Sequence, residues 1–145
     1  MIHQGEYQVK AQAGFTLIEL VVTILIVSIL AEIAYPSYIK SIAKTKRRAA
    51  EACLSNFATH MERFYTTNLR YDKDSAGTDI VLPSLDCAST QNSGADYQFT
   101  LSAVARSTYT LQAAPKSTSA QVTRDAACAT LTLDHTGTRA PTSCW

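Results

Sequence analysis

Apolar residues are spread unevenly along the chain, and their longest run lies near its start. Residues 15–35 are mostly apolar and carry only two charges, Glu19 and Glu32. A helix of this length crosses a hydrocarbon layer roughly 30 Å thick. The segment before it, residues 1–14, is polar and ends in glycine. The pattern predicts a helix that spans a membrane.

Helical periodicity continues beyond Pro36, but it becomes amphipathic. Apolar side chains recur at steps of three and four, which marks one buried face. That face comprises Ile39, Ile42, Ala43, Ala50, Cys53, Leu54, Phe57, Met61 and Phe64. The remaining faces carry Lys40, Lys44, Arg47, Arg48, Glu51, Ser55, Thr59 and Glu62. We therefore expect one helix over residues 16–66, kinked or locally melted near Pro36, because proline removes a backbone hydrogen bond.

The second half of the chain changes from breaker residues to a period of two. Residues 68–94 read as a long connection, with at most a short element at 79–82. Alternation then predicts three strands with a threonine-rich outer face, the first including Ala103, with turns near 105–106 and across 115–124 and an irregular tail. The fold class is α+β: a long helix against an antiparallel meander of three or four strands.

The composition indicates in which cellular environment the chain folds and which kinds of chemistry it lacks the residues for. The net charge is +1, and the cysteines are Cys53, Cys87, Cys128 and Cys144. An even number of cysteines after a membrane-spanning segment indicates two disulfides and an oxidising environment. Buried free thiols are the alternative. His3, His60 and His135 are scattered, and no nucleophile motif, phosphate loop or metal-ligand cluster occurs. We expect no enzyme activity, no cofactor, no metal and no small-molecule substrate.

A short motif at the start of the apolar run resembles a known processing signal. It consists of Gly14, Phe15, Thr16, Leu17, Ile18 and Glu19. This motif resembles the class III signal of type IV pilins and related pseudopilins. The resemblance implies that a prepilin peptidase cuts after Gly14 and methylates the amine of Phe15. It also implies that Glu19 pairs with such an amine on a neighbouring subunit and that Pro36 is the helix-kinking proline. Members of the family are unwound just before this proline within filaments, so the resemblance implies local unwinding over residues 28–35.

The acid in the apolar helix has its own physical argument. A carboxylate inside a bilayer costs about 2.5–3.5 kcal/mol on insertion scales, so Glu19 needs a partner, or else stays protonated or snorkels to the membrane edge. Glu32 lies on a different face and is either an interfacial carboxylate or a partner for Lys40 or Lys44 of a neighbouring subunit.

The end of the chain also resembles this family. The run from Cys128 to Gly137, followed by Cys144 and Trp145, is similar to minor pilins of the PilE and ComP type, whose closing loop is bounded by a disulfide. Four cysteines allow three pairings. We prefer Cys53–Cys87 and Cys128–Cys144, because each is local to one structural feature.

The resemblance implies an organisation and a set of partners. The expected parts are a leader at 1–14, a filament-core helix at 15–35, an amphipathic half at 36–67, an αβ-loop at 68–94, a sheet at 95–134 and a disulfide-bounded region at 128–145. The expected partners are other pilin subunits in a helical filament, the prepilin peptidase and the inner-membrane assembly platform. The chain is expected to cross the inner membrane of a Gram-negative bacterium once, amino terminus in the cytoplasm, and then to enter an extracellular pilus.

Two features complicate this expectation. Lysine and arginine normally flank the cytoplasmic end of a membrane helix, yet Lys10 stands alone before the helix and a basic run follows it. Residues 44–48 of that run are a solvated face, a site for anionic lipid or DNA phosphates, or partners for acids on other subunits.

The main interpretation is a minor type IV pilus subunit that supports pilus biogenesis, adhesion, twitching or DNA uptake. The alternatives are a DNA receptor in the same pilus and a type II secretion pseudopilin, whose major forms usually carry a calcium-binding loop in place of the paired-cysteine tail. The candidate DNA-binding residues are Arg124, Arg139 and Trp145, although residues 95–145 have four cationic and three acidic side chains and hence little net charge.

Overall fold

One long helix dominates the first half of the chain. The computed structural model describes residues 14–145, so the predicted leader lies outside the described residues except for Gly14. Helix α1 spans Leu17–Asn68 and contains Pro36 in its interior. Residues 28–35 are helical, so the local unwinding expected there is absent. Proline removes one hydrogen bond, and no glycine in the preceding turns lowers the cost of opening the rest.

The chain divides after Pro36 into two compact units. In the first, residues 17–35 are exposed on every side, and the large apolar side chains among them are 43–81 % accessible. Among residues 14–145, one helix is long and apolar enough to cross a membrane, and it is α1. An apolar helix with no polar face requires lipid or other helices around it.

The residue that directly follows helix α1 has a left-handed backbone conformation. Leu69 has φ 53° and donates its backbone N–H to Tyr65 O at 2.8 Å. This conformation caps the last turn, although glycine is the residue that usually adopts it. The chain leaves the helix here and folds back toward the sheet, where Tyr71 N–H donates to Arg106 O.

Four strands form an antiparallel meander. They are β1 (Tyr97–Val104), β2 (Tyr109–Pro115), β3 (Leu131–Asp134) and β4 (Arg139–Ala140), in the spatial order β1-β2-β3-β4. The α+β fold predicted from the sequence is confirmed. The expectation of an irregular tail and of a sheet ending at residue 134 is wrong, because β4 pairs with β3. A strand of two residues carries no alternation that sequence reasoning can detect.

The first strand departs from its predicted alternation. A bulge interrupts the pairing between Leu101 and Ala103, so that Leu101 faces Leu111 while Ala103 faces Thr110. An extra residue in one strand reverses the faces of those that follow it. Ala103, expected on the buried face, is therefore exposed.

The core lies in the second unit, between α1 and the sheet. It is completed by Tyr71 and by two disulfide-bonded pairs of cysteines. From the helix it takes Ala50, Cys53, Leu54, Phe57 and Met61, and from the sheet Tyr97, Tyr109, Leu111, Ala113, Leu131 and Leu133. Both sets follow the predicted helical and strand periods, which is why these two elements pack face to face.

The connection between α1 and β1 is mostly irregular, but two short turns within it pack against each other. Two 3₁₀ turns, Asp86–Ala88 and Ser93–Ala95, pack together. A Cβ at Gly94 would lie 1.9 Å from Ala88 O, so only glycine permits this approach. The element expected at 79–82 does not form, and a single bridge joins Lys73 to Asp79 instead.

The connection between β2 and β3 is also more ordered than a turn. A short helix α2, Gln121–Arg124, and a 3₁₀ turn, Ala126–Cys128, occupy it. Gln121 is only 2 % exposed, and its amide donates to Ala43 O at 2.8 Å and Tyr97 Oη at 3.0 Å. A buried amide satisfied in this way fixes the segment against α1.

Candidate nucleic-acid interface and filament helix

The processing motif begins α1 by a local hydrogen bond. Thr16 directly precedes the helix, and its Oγ1 accepts the backbone N–H of Glu19 at 3.3 Å. This is one half of a capping box, in which a threonine and a glutamate three positions later satisfy the free donors of the first turn. The spacing of Thr16 and Glu19 thus has a structural role within the chain, which the sequence analysis did not consider.

The basic run after the apolar helix is mostly bound by acids of the same chain. Lys46 pairs with Asp96 at 2.8 Å, and Arg48 pairs with Glu51 at 3.2 Å. Burial opposes ionisation of Asp96, but the hydrogen bonds from Lys46 and Ser119 outweigh it and hold the pKa of this carboxyl below its usual range. Both cations are thus partly exposed but already paired with an acid of the same chain.

Arg47 is the most deeply buried member of the run. Its Nη1 lies 2.6 Å from Asp125 Oδ1 and its Nε lies 3.5 Å from Glu51 Oε1. The three side chains are only 12 %, 13 % and 7 % exposed for Arg47, Asp125 and Glu51. Glu51, assigned above to the polar faces, is buried because its charge is compensated in place. The network joins α1 to the end of α2.

Two of the three candidate DNA-binding residues come together at the edge of the sheet. Arg139 lies in β4, and its guanidinium carbon is 5.0 Å from the centroid of the Trp145 ring. Trp145 Nε1 donates to Ala140 O at 3.3 Å, which holds the ring beside the strand. A cation over an indole face at this distance is an attractive contact. The exposed edge strand thus presents a guanidinium braced by an aromatic ring.

A disulfide anchors this edge to the rest of the fold. Cys128 and Cys144 are bonded, as are Cys53 and Cys87, which are the pairs preferred from the sequence. Arg124 lies at the end of α2, exposed and without an ion pair among residues 14–145, and its charge helps to lower the pKa of Asp96. Among residues 14–145, no hydrogen bond or cation–π contact joins Arg124 to Arg139 or Trp145.

The carboxylates near Arg139 are engaged by other groups. Asp134 Oδ1 accepts the backbone N–H groups of Thr136 and Thr138, both at 2.9 Å, and the Thr136 hydroxyl at 2.6 Å. These bonds, the Thr136 hydroxyl first, hold the pKa of Asp134 below its usual range. The carboxylate therefore closes the turn before β4 and makes no ion pair with Arg139.

Glu62 accepts hydrogen bonds from a pair of tyrosines between α1 and β2. Its carboxylate accepts the hydroxyls of Tyr71 and Tyr109 at 3.0–3.1 Å. Burial first and the Glu62 hydrogen bond second raise the pKa of Tyr71 to about 12, and the same causes raise the pKa of Tyr109. The cluster ties the last turns of α1 to the start of β2.

Sequence comparison gives the family. Residues 36–132 match the family described as "Type IV minor pilin ComP, DNA uptake sequence receptor", and residues 9–35 match the "Prokaryotic N-terminal methylation motif". The chain belongs to this family. It is a type IV minor pilin, a member of a structural protein family, with the N-terminal hydrophobic helix of a membrane-anchored pilin.

The proteins to which this pilin is similar include a major pilin, a minor pilin and a further type IV pilin. The "Type IV major pilin protein PilA" of Myxococcus xanthus is 41 % identical over 58 residues, 40 % of this chain, and the match spans 26 % of that relative's length. A "Type IV Pilin from Shewanella oneidensis" is 26 % identical with a TM-score of 0.48, covering 71 % of this chain and 97 % of that one. The "non-core minor pilin PilV" of Neisseria meningitidis is 25 % identical with a TM-score of 0.47, covering 70 % and 87 %.

Proposed function

We propose that this pilin is assembled into a type IV pilus through its apolar helix and binds DNA at the Arg139 edge during DNA uptake. Processing would cut the chain between Gly14 and Phe15 in the inner membrane of a Gram-negative bacterium. The assembly platform would then insert it among other pilins, with Glu19 meeting the new amine of a neighbour. The proposal assigns the chain no catalysis; it is a substrate of the prepilin peptidase.

The exposed apolar helix supports the assembly part of the proposal. All of residues 17–35 are exposed within the chain, although their side chains are almost all apolar. Such a surface is stable only in lipid or against similar helices. A filament of pilins supplies the second environment, and Glu19 then gains a partner whose absence would be costly in an apolar medium.

Pili sheared from cells test this part directly. We expect a trace component whose intact mass begins at methylated Phe15 and whose mass rises on reduction by the hydrogens of two disulfides. A chain that stays uncleaved in the membrane and is absent from pili would contradict the proposed processing. If it formed the bulk of the filament, the minor role would be wrong.

The DNA part rests on one observation, the braced guanidinium of Arg139 on an exposed edge strand. Phosphates are bound by arginines that have no competing acid, and aromatic neighbours favour contact with nucleotides. Arg139 meets both conditions, since the nearby carboxylate of Asp134 is used by its own turn. The family description, a DNA uptake sequence receptor, supports DNA binding by this chain but names no residue for it. Arg124 would extend the contact by a second phosphate.

Replacing both arginines should weaken DNA binding and change its salt dependence. In Arg124→Gln/Arg139→Gln, the slope of log affinity against log salt should become shallower by about two, one for each lost phosphate contact. The measurement is titration of the full chain in detergent with duplex DNA at several salt concentrations.

A variant of equal charge serves as the control. Lys40→Gln/Lys44→Gln removes two exposed cations that also lack an acid partner within residues 14–145. Its DNA affinity and slope should match those of the unmodified chain. An unchanged slope in the arginine variant, or an equal loss in the control, would mean that the interface is not at β4.

A further inference from the structure

The basic run after the apolar helix is divided by the fold into two groups. The later cations, Lys46, Arg47 and Arg48, are held by acids of the same chain. Lys40 and Lys44 are exposed and form no ion pair among the described residues. Within this basic run, these two lysines are the cations that have no acid partner among residues 14–145.

An aromatic side chain accompanies the two free lysines. Tyr38 lies two positions before Lys40 and is 64 % exposed. The same stretch buries only Ile39, Ile42 and Ala43 toward the folded unit. Tyrosine and lysine share a physical property, namely an apolar body with a polar tip, which suits the boundary between hydrocarbon and water. All three residues directly follow the apolar span in the sequence.

We propose that Tyr38, Lys40 and Lys44 form a binding site for anionic phospholipid headgroups at the membrane surface from which the folded unit emerges. The tyrosine ring would lie at headgroup level, as aromatic belts do. The lysine stems would lie along the acyl boundary while their ammonium groups reach lipid phosphates. We call these three residues the headgroup collar.

The position of the headgroup collar favours lipid over nucleic acid. A DNA site needs cations that follow a row of phosphates, and the next cations along the helix are already bound to Asp96, Asp125 and Glu51. A membrane surface needs only basic and aromatic groups beside an apolar span, which is the arrangement present here. The headgroup collar would hold the subunit at a fixed depth before assembly, and it would have to release its lipids when the subunit leaves the membrane.

Photo-cross-linking of the full chain to a lipid headgroup tests the site. The chain is reconstituted in vesicles of phosphatidylcholine with a minor fraction of phosphatidylglycerol carrying a photoactivatable headgroup, and cross-linked peptides are mapped by mass. Cross-links should concentrate on residues 37–45. In Lys40→Gln/Lys44→Gln their yield should fall on the order of tenfold, because each lysine attracts an anionic surface independently.

The matched control is Arg63→Gln/Arg106→Gln, which removes two exposed cations that lack an acid partner within residues 14–145 but lie far along the chain from the apolar span. Its cross-linking should equal that of the unmodified chain. Equal yields in all three proteins, or an equal loss in both variants, would overturn the proposal. Loss of the cross-links on adding a short DNA duplex would also overturn it, in favour of a nucleic-acid site, whereas inorganic phosphate should have no effect.

Discussion

Replacement of Arg47 by methionine is expected to lower the free energy of unfolding by about 3–5 kcal/mol. The substitution keeps most of the side-chain volume but leaves Asp125 without its cation and Glu51 with only the exposed Arg48. These carboxylates are too little exposed to regain their hydration. A buried ion pair adds little by itself, but removing one partner strands the other in a medium that solvates it poorly.

Chemical unfolding of the full chain in detergent, followed by the fluorescence of Trp145, measures this change. Arg48→Gln is the control, because Arg48 is 55 % exposed and its pair with Glu51 should contribute less than about 1 kcal/mol. A triple variant, Arg47→Met with Glu51→Leu and Asp125→Leu, should regain most of the loss, since no charge is left stranded. If Arg47→Met costs no more than Arg48→Gln, the buried network does not hold α2 on the helix.

The second large effect is expected from the disulfide that ties the long connection to α1. Cys53→Ala/Cys87→Ala should lower the free energy of unfolding by about 4 kcal/mol, because the bond closes a large loop in the unfolded chain. The cysteines are 34 positions apart, and the segment between them contains the whole irregular stretch after Asn68. Without the bond, this stretch gains conformational freedom that the folded state must again remove.

The other disulfide provides the comparison. Cys128 and Cys144 are only 16 positions apart, so Cys128→Ala/Cys144→Ala should cost less, about 3 kcal/mol. The same unfolding assay ranks the two variants. A Cys53→Ala/Cys87→Ala chain as stable as the unmodified one would show that packing alone, including the close contact of Gly94 with Ala88, holds the connection in place.

The elements predicted correctly from the sequence are those whose pattern repeats. Leu54, Phe57 and Met61 recur at helical spacing, and Leu111 with Ala113 recur at strand spacing. The sequence of each segment therefore shows by itself which of its residues face the core. Local periodicity suffices because burial of a face depends on neighbours three, four or two positions away.

The features that sequence reasoning missed depend on distant partners or on very short elements. Glu51 appeared to belong to a solvated face because the neighbour that allows its burial, Arg47, is itself compensated by Asp125, 78 positions further along. Ala103 was misplaced by one bulge, which leaves no mark in the alternation before it. The contact of Arg139 with Trp145 depends on β4, a strand of two residues.

The cap that Thr16 makes at the start of α1 has an electrostatic consequence for a chain cut before Phe15. The new ammonium group would then lie one residue ahead of the cap, beside the positive end of the helix macrodipole. Two positive sources would thus meet in an apolar medium, where neither is screened. The tip of each free subunit would repel cations and attract carboxylates, which would favour the proposed pairing with Glu19 of another copy.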